Sequence, residues 1–106
     1  MGWVVEVLEA ALPEIETLPA DIKARFRRIA ELIQSRGLDG VREPHVKHLE
    51  GKLWEMRMIG RDGIARAIYV TARGQRVIVV RAFVKKTDRT PRAEIELAHA
   101  RAKDII

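Results

Sequence analysis

The chain has 106 residues, of which 47% are apolar and 33% charged, and it contains no cysteine. This length suits one folded domain, expected to span residues 1–106, and the apolar fraction argues against a disordered chain. The lack of cysteine excludes disulfides, thiolate metal sites and a cysteine nucleophile.

The charge balance is basic. Twenty Lys and Arg residues against fifteen Asp and Glu residues give a formal net charge of +5, which favours an acidic or polyanionic partner, nucleic acid first. No apolar stretch reaches the length of a membrane span, and the N-terminus lacks a signal-peptide pattern. We therefore expect a soluble, cytoplasmic protein that has no membrane contact.

The first half of the chain predicts one strand and one long helix. Residues 3–8, WVVEVL, are short and β-branched, which is typical of a strand. Residues 9–19 predict a short helix or a loop, because Pro13 interrupts their helical spacing. The long helix follows, with Pro19 in its first turn and Gly37 at its end. Its apolar face is formed by Ile22, Phe26, Ile29 and Ile33.

The second half predicts a polar connection over residues 38–51 and then three strands, at about 53–59, 64–71 and 76–84. The turns GRDG and ARGQ have the composition of hairpin turns. In the last helix, Thr90 is the expected N-cap and Pro91 the first residue. This order predicts an α+β fold: an antiparallel β-meander with an N-terminal strand and with the helices packed on one face of the sheet.

Each of the three strands carries one arginine within an apolar run, namely Arg57, Arg66 and Arg81. If GRDG forms the first turn, Arg57 lies opposite Arg66. If Arg73 and Gly74 centre the second turn, Arg66 lies opposite Arg81, and all three point to one face.

Like charges side by side on a sheet are unfavourable, and such local violations tend to mark function. We therefore expect an anion site at the arginine row. Phosphate is the natural ligand, because a guanidinium group matches two phosphate oxygens. The alternative is that these arginines pair with Glu55, Asp62 or helix carboxylates as ordinary charges.

Three segments carry a resemblance to a known family: LEGKLWEMR (49–57), GIARAIYV (63–70) and VIVVRAFVKKTDRTPRAEIELAHAR (77–101). Together they resemble the RelE/HigB toxins of type II toxin–antitoxin systems, in particular the phage-derived HigB-like branch. The resemblance implies a small α+β toxin, neutralised by a cognate antitoxin that is expected to be a helix-turn-helix protein. It also implies cleavage of mRNA on the translating ribosome, without a metal or other cofactor, by attack of the RNA 2′-hydroxyl on phosphate.

The family pattern suggests roles for particular residues. Arg66 matches its phosphate-binding arginine, Arg57 matches a basic residue of its catalytic strand, and Lys85 and Lys86 fall in the basic segment after the last strand. These four are the expected catalytic residues. The expected substrate contacts are Arg81, Lys52, Lys47, Glu55 and Tyr69.

Some of these residues have a second interpretation. Glu55 could act as a base, but an ion pair with one of the arginines is the favoured interpretation. Strand alternation puts Tyr69 and Trp54 on the core face. His45 and His48 are three residues apart without a third ligand nearby, so we expect no metal site there.

Two other functions fit the sequence. One is a ParE-like, non-catalytic toxin that inhibits gyrase through a protein interface. The other is an inactive phage-derived module that binds nucleic acid. The arginine row favours RNA over gyrase, but charge alone does not establish catalysis.

Overall fold

The computed structural model describes residues 2–41, 45–85 and 89–105. Within these residues a five-stranded sheet has the order β1-β5-β4-β3-β2. Strand β1 runs parallel to β5, and the other neighbours are antiparallel. The strands are β1 (Val4–Val7), β2 (Val46–Glu50), β3 (Leu53–Ile59), β4 (Ile64–Ala72) and β5 (Arg76–Lys85).

Three α-helices accompany the sheet: α1 (Leu12–Glu16), α2 (Ala20–Arg36) and α3 (Arg92–Ala102). Short 3₁₀ turns occupy Glu9–Ala11 and Leu38–Gly40. None of the described helices is long and apolar enough to cross a membrane. The expected α+β class with an N-terminal strand is confirmed, although the sheet is mixed because β1 pairs in parallel.

Strand β2 lies in the segment that the sequence predicted to be a polar connection, so that prediction is wrong. β2 is an edge strand, paired only with β3. Its residues Lys47 and His48 are exposed. An edge strand covers little of the core, and its sequence therefore lacks the apolar alternation by which strands are recognised.

The helices lie on both faces of the sheet, which corrects the expectation of one covered face. Helix α2 packs through Ile22, Phe26, Ile29 and Ile33 on a core that includes Met56, Met58, Ala67 and Tyr69. Helix α3 packs through Ile95, Ala98 and Ala102 on the opposite face, against Leu53, Ile68, Val70, Ile78 and Val80. That second face was expected to be half open, but its apolar residues need a helix to remove them from water.

A β-bulge in β5 explains part of this difference. Tyr69 pairs with Val79 whereas Ile68 pairs with Arg81, so Val80 is an extra residue. The bulge reverses the alternation of side chains along β5. Ile78 consequently faces α3, and Val79 faces α2.

The turn between β3 and β4 is held against the beginning of α2. Ile59 pairs with Ile64, as predicted, and the Gly60 N–H donates to the Gly63 carbonyl at 2.8 Å. The Asp21 carboxylate accepts a hydrogen bond from the Arg61 N–H at 2.5 Å. This contact fixes the end of the hairpin on which the arginine strands meet.

Replacing Gly60 by alanine tests this attachment. A Cβ at Gly60 would lie 2.5 Å from Ile22 Cγ1 and 2.9 Å from Asp21 Oδ2, and one of these neighbours would have to move. We expect Gly60→Ala to lower the free energy of unfolding by about 1–3 kcal/mol, measured by urea denaturation. Gly63→Ala is the matched control, because a Cβ there meets only Val84 Cγ1 at an ordinary 3.9 Å. Equal stability of the two variants would contradict the close packing of this turn on α2.

Strand β2 is tied to α3 through Glu50. Its carboxylate accepts hydrogen bonds from Arg92 at 2.6 and 3.1 Å, and His99 Nε2 lies 2.9 Å from it. These contacts, that of Arg92 first, lower the pKa of Glu50 from 4.5 to about 2. Because the folded pKa lies below the unfolded one, the stabilisation is present above pH 4.5 and is lost as the pH falls towards 2.

The Glu50→Gln variant should show this pH dependence. We expect its denaturation midpoint to lie below that of the wild type near pH 6, and the difference to shrink between pH 4.5 and 2. Glu31→Gln, on the exposed face of α2, is the control and should change the midpoint little. A difference that persists at pH 2 would contradict the assignment to this ion pair.

Candidate functional site

The three arginines point to the face of the sheet on which α3 packs, but they do not form one straight row. Arg57 pairs with Arg66, as predicted. Arg66 pairs with Phe83, and Arg81 pairs with Ile68. The predicted pairing of Arg66 with Arg81 is therefore wrong. Because of the bulge in β5 and the three-residue turn between Ala72 and Arg76, Arg81 lies two residues before the residue that pairs with Arg66.

Arg66 is buried in an ion pair with Glu55. The side chains of Arg66 and Glu55 are 7% and 2% exposed, and a guanidinium nitrogen of Arg66 contacts a Glu55 oxygen. The same nitrogen donates to the Thr90 hydroxyl at 2.8 Å, and Thr90 in turn donates to the other Glu55 oxygen at 2.7 Å. The ion pair predicted as the alternative for Glu55 is thus present.

Thr90 does not cap α3, contrary to the sequence prediction. The N-cap of this helix is Pro91, and no side chain caps its first turn. The hydroxyl of Thr90 is instead bonded to Arg66 and Glu55. It thereby attaches the segment before α3 to strands β3 and β4.

Arg81 is enclosed by carboxylates from two helices. Glu94 of α3 accepts from Arg81 at 2.6 and 3.1 Å, and Glu14 of α1 lies 2.7 Å from it. Glu14 also accepts hydrogen bonds from Arg101 at 2.9 Å and from the Ala82 N–H at 3.2 Å. This network joins α1, β5 and α3. It lies at the edge of β5, just after the residues of β5 that pair with β1.

The charges of this network stabilise one another. Burial raises the pKa of Glu14, but the hydrogen bonds from Arg101, the Ala82 N–H and Arg81 outweigh burial and lower that pKa overall. The hydrogen bond with Glu94 is the main reason why the pKa of Arg81 is raised. Arg81 is therefore a structural cation in this conformation and does not face an open groove.

The expectation of an open anion site formed by three arginines is wrong. Arg66 and Arg81 are neutralised by carboxylates, two of which, Glu14 and Glu94, lie far from the strands in sequence. Tyr69, expected to contact substrate, is only 1% exposed and lies in the core beneath α2. Burial raises its pKa to about 12. Trp54 is 39% exposed at the edge of that core, against His48.

Arg57 differs from Arg66 and Arg81, which pair with carboxylates, because no carboxylate of the described residues forms an ion pair with it. It is half-buried, and its Nε atom is buried without a hydrogen-bond partner among the residues that the structure describes. Arg57 lines a pocket of about 240 Å³ together with Arg25, His45 and Ile59. The pocket therefore combines two guanidinium groups and an imidazole, and none of the described residues that line it is acidic.

The predicted lysines are placed unequally around Arg57. Lys85 pairs with Ile64 at the end of β5 and is half-buried, and Lys47 is exposed on β2 opposite Glu55. Lys52 precedes β3, five residues from Arg57 and about 16 Å away along an extended strand, so it is not brought to the pocket. Lys86 lies outside the described residues.

Metal binding has no candidate among the parts of the chain that the structure describes. No three His, Asp or Glu side chains come together there as a group that could hold an ion. His48 is hydrogen-bonded to the Gly51 carbonyl, and His99 contacts Glu50. Sequence reasoning missed the pocket around Arg57, because Arg25 lies in α2, far from Arg57 in the sequence.

Comparisons with known proteins place this arrangement in a wider group. A family model described as Phage derived protein Gp49-like matches residues 13–103. An arginine double mutant of E. coli toxin RelE in the free state is similar, with a TM-score of 0.62 and 14% identity over 98% of this chain and 97% of that chain. A chain of the archaeal RelE-RelB complex from Pyrococcus horikoshii OT3 has a TM-score of 0.58 and 22% identity, over 79% and 96% respectively. No curated protein matches the sequence. At these identities the structures show a shared fold, and the predicted RelE-like fold is confirmed.

The buried Glu55–Arg66 pair makes a direct stability prediction. Glu55→Leu leaves the Arg66 charge buried without its carboxylate, and we expect a loss of about 3–5 kcal/mol in the free energy of unfolding. Adding Arg66→Met to Glu55→Leu removes that charge and should restore much of the stability. Chemical denaturation of the single and double variants measures both effects.

The control for this pair is Glu6→Leu. Glu6 pairs with Arg76 at 2.6 Å, but both side chains are well exposed, and exposed pairs contribute little. We expect a denaturation midpoint close to that of the wild type. If Glu55→Leu were equally harmless, Arg66 would not be neutralised by Glu55 as described.

Proposed function

This chain belongs to the family of phage-derived Gp49-like proteins, and we propose that it is the toxin of a type II toxin–antitoxin pair that cleaves mRNA on the translating ribosome. The family and the RelE-like fold support the toxin role. The basic charge of the chain supports an RNA target. The ribosome is proposed as the site of action because the pocket offers few groups with which to select a free RNA sequence.

The observation that carries the proposal is the state of Arg57. Its guanidinium has no carboxylate partner among the described residues, although the neighbouring Arg66 and Arg81 each have one. A partly buried cation without a counter-ion attracts an anion strongly, because water screens its charge less than at the surface. A phosphate of the RNA backbone supplies that anion in a geometry that guanidinium binds well.

The surrounding residues suit the charge that develops during cleavage. The 2′-hydroxyl oxygen attacks the adjacent phosphorus, and the bond from phosphorus to the 5′-oxygen of the next nucleotide breaks. Arg57 would stabilise the additional negative charge on the phosphate oxygens. Lys85 and Lys47, on the same face, would hold flanking phosphates. Lys86 adjoins Lys85 in the sequence and remains part of the proposed basic segment.

Arg66 has a supporting role in this proposal. It lies directly opposite Arg57, but Glu55 and Thr90 occupy its guanidinium. The Glu55–Arg66 ion pair has no net charge and lies next to Arg57 on the sheet. This neutral pair holds the half-buried cation of Arg57 in one place without adding a second net charge that would repel it.

A cognate antitoxin is the proposed partner. The archaeal RelE of similar fold was solved together with RelB, and this chain carries a basic pocket that an acidic or phosphate-like group would fill. We propose a small helix-turn-helix protein in that role, encoded beside this chain, and we propose that both act in the cytoplasm, where translating ribosomes are found.

Induced expression without an antitoxin tests the proposed function. We expect growth arrest and new mRNA 5′-ends that appear only on translated transcripts. Arg57→Ala should reduce cleavage by about 100-fold or more, since it removes a charge that stabilises the transition state. Arg73→Ala is the matched control, because Arg73 is an exposed arginine in the turn at the opposite end of β4.

Other outcomes would contradict the proposal in distinct ways. Intact transcripts together with double-strand DNA breaks would indicate a gyrase-directed toxin. Growth without any arrest would indicate an inactive module. Cleavage that Arg57→Ala leaves unchanged, in a variant with an unaltered melting temperature, would remove Arg57 from the site.

A further inference from the structure

The three histidines of the chain differ in how their rings are engaged. His48 Nε2 lies 2.8 Å from the Gly51 carbonyl oxygen, and its ring contacts Trp54. His99 Nε2 lies 2.9 Å from a Glu50 oxygen. The His45 ring lines the pocket around Arg57, and it has no hydrogen-bond partner among the residues described here.

The backbone fixes His45 next to Arg57. Val46 pairs with Met56 in the antiparallel ladder, and the Arg57 N–H donates to the His45 carbonyl at 2.7 Å. Pairing at this register sets His45 directly opposite Arg57, where cross-strand Cβ atoms are about 5 Å apart. The imidazole and the guanidinium are therefore held at the same point of the sheet edge.

The other groups that line this pocket are Arg25 from α2 and Ile59 from β3. Ile59 is 54% exposed and leaves the pocket open to solvent. Among residues 2–41, 45–85 and 89–105, the charged groups that line the pocket beside His45 are the guanidinium groups of Arg25 and Arg57, and no carboxylate from these ranges lines it. An anion between these two cations would lie within reach of an imidazole that is able to accept a proton.

We infer that the Arg25–His45–Arg57 pocket binds the scissile RNA phosphate and that His45 is the base that accepts the proton of the attacking 2′-hydroxyl. This inference rests on the proposed function and states which residues carry out the proposed cleavage. The O2′–P bond forms as the proton moves to His45, and the P–O5′ bond breaks. The leaving 5′-oxygen takes a proton from water, and the resulting hydroxide takes the proton from His45. The products are a 2′,3′-cyclic phosphate and a 5′-hydroxyl.

The other candidate bases are less suitable. Glu55 is 2% exposed, and its two oxygens are engaged by Arg66 and Thr90, so it is shielded from an RNA hydroxyl. A lysine such as Lys85 is protonated near neutral pH and serves as a base only after its pKa has been lowered. Histidine is the side chain that most often serves as a general base.

The test is single-turnover cleavage of a defined mRNA on purified, stalled ribosomes. We expect His45→Ala to slow the cleavage step by about 100-fold or more, as is usual for loss of a general base. Binding of a 2′-O-methyl mRNA, which lacks the attacking hydroxyl, should change much less. His48→Ala is the matched control, since His48 lies three residues further along the chain, in β2, and does not line the pocket, and it should cleave at the wild-type rate.

Two further readouts separate a base from a structural residue. The wild-type rate should fall towards acid pH, where a general base becomes protonated, and His45→Ala should lack this fall. Added imidazole should partly restore cleavage by His45→Ala but should leave His48→Ala unchanged.

Each outcome decides the inference. A folded His45→Ala variant that cleaves like the wild type, with the same pH profile, overturns the role of His45 and leaves the proposed RNase function standing. A slow variant whose pH profile is unchanged and that imidazole does not rescue also overturns it, since His45 would then act only through structure. A wild-type protein that cleaves no ribosome-bound mRNA overturns the proposed function and this inference together.

Discussion

The buried ion pair between Glu55 and Arg66 is the constraint on which the arrangement of this face depends. Antiparallel pairing of β3 and β4 places Arg57 and Arg66 directly opposite each other, which would be unfavourable for two uncompensated charges. Glu55, two residues before Arg57 on the same face, neutralises Arg66. The hydroxyl of Thr90 completes the hydrogen bonds of both groups and fixes the chain where α3 begins.

A second group of carboxylates removes Arg81 from the surface in the same way. Glu14 and Glu94 come from helices on opposite faces of the sheet and meet Arg81 around the edge of β5. The two networks bind the helices to the sheet and use two of the three strand arginines for that purpose. Among the residues that the structure describes, Arg57 has no carboxylate partner, so its charge is available to an anionic ligand. Arg57 lies at the end of this face where Ile59 is exposed.

The elements with strong local signals were predictable from the sequence. The three central strands were predicted to within one residue of their observed bounds, as was the pairing of Ile59 with Ile64, because alternating apolar residues and glycine-containing turns determine both. Edge strand β2 was missed because it is polar. The bulge at Val80 was missed because nothing in an apolar run marks an extra residue.

The site was less predictable than the fold. The turn sequence predicted that Arg57 lies opposite Arg66. That Arg81 is paired with carboxylates depended on Glu14 and Glu94, whose positions only the folded chain determines. The sequence did not show that Arg25 and His45 lie beside Arg57, because only the folded chain brings them together. A pocket built from a helix, an edge strand and the end of a hairpin leaves no compact pattern in the sequence.

The central claim is that carboxylates hold Arg66 and Arg81 while Arg57 remains available to phosphate. The most direct measurement is a titration of the ¹⁵N-labelled protein with a short, fully 2′-O-methylated RNA, observed through the arginine Nε–Hε resonances. The account predicts a saturable shift of the Arg57 signal, with the Arg66 and Arg81 signals unchanged. A shift of Arg66 or Arg81, with Arg57 unaffected, would contradict it.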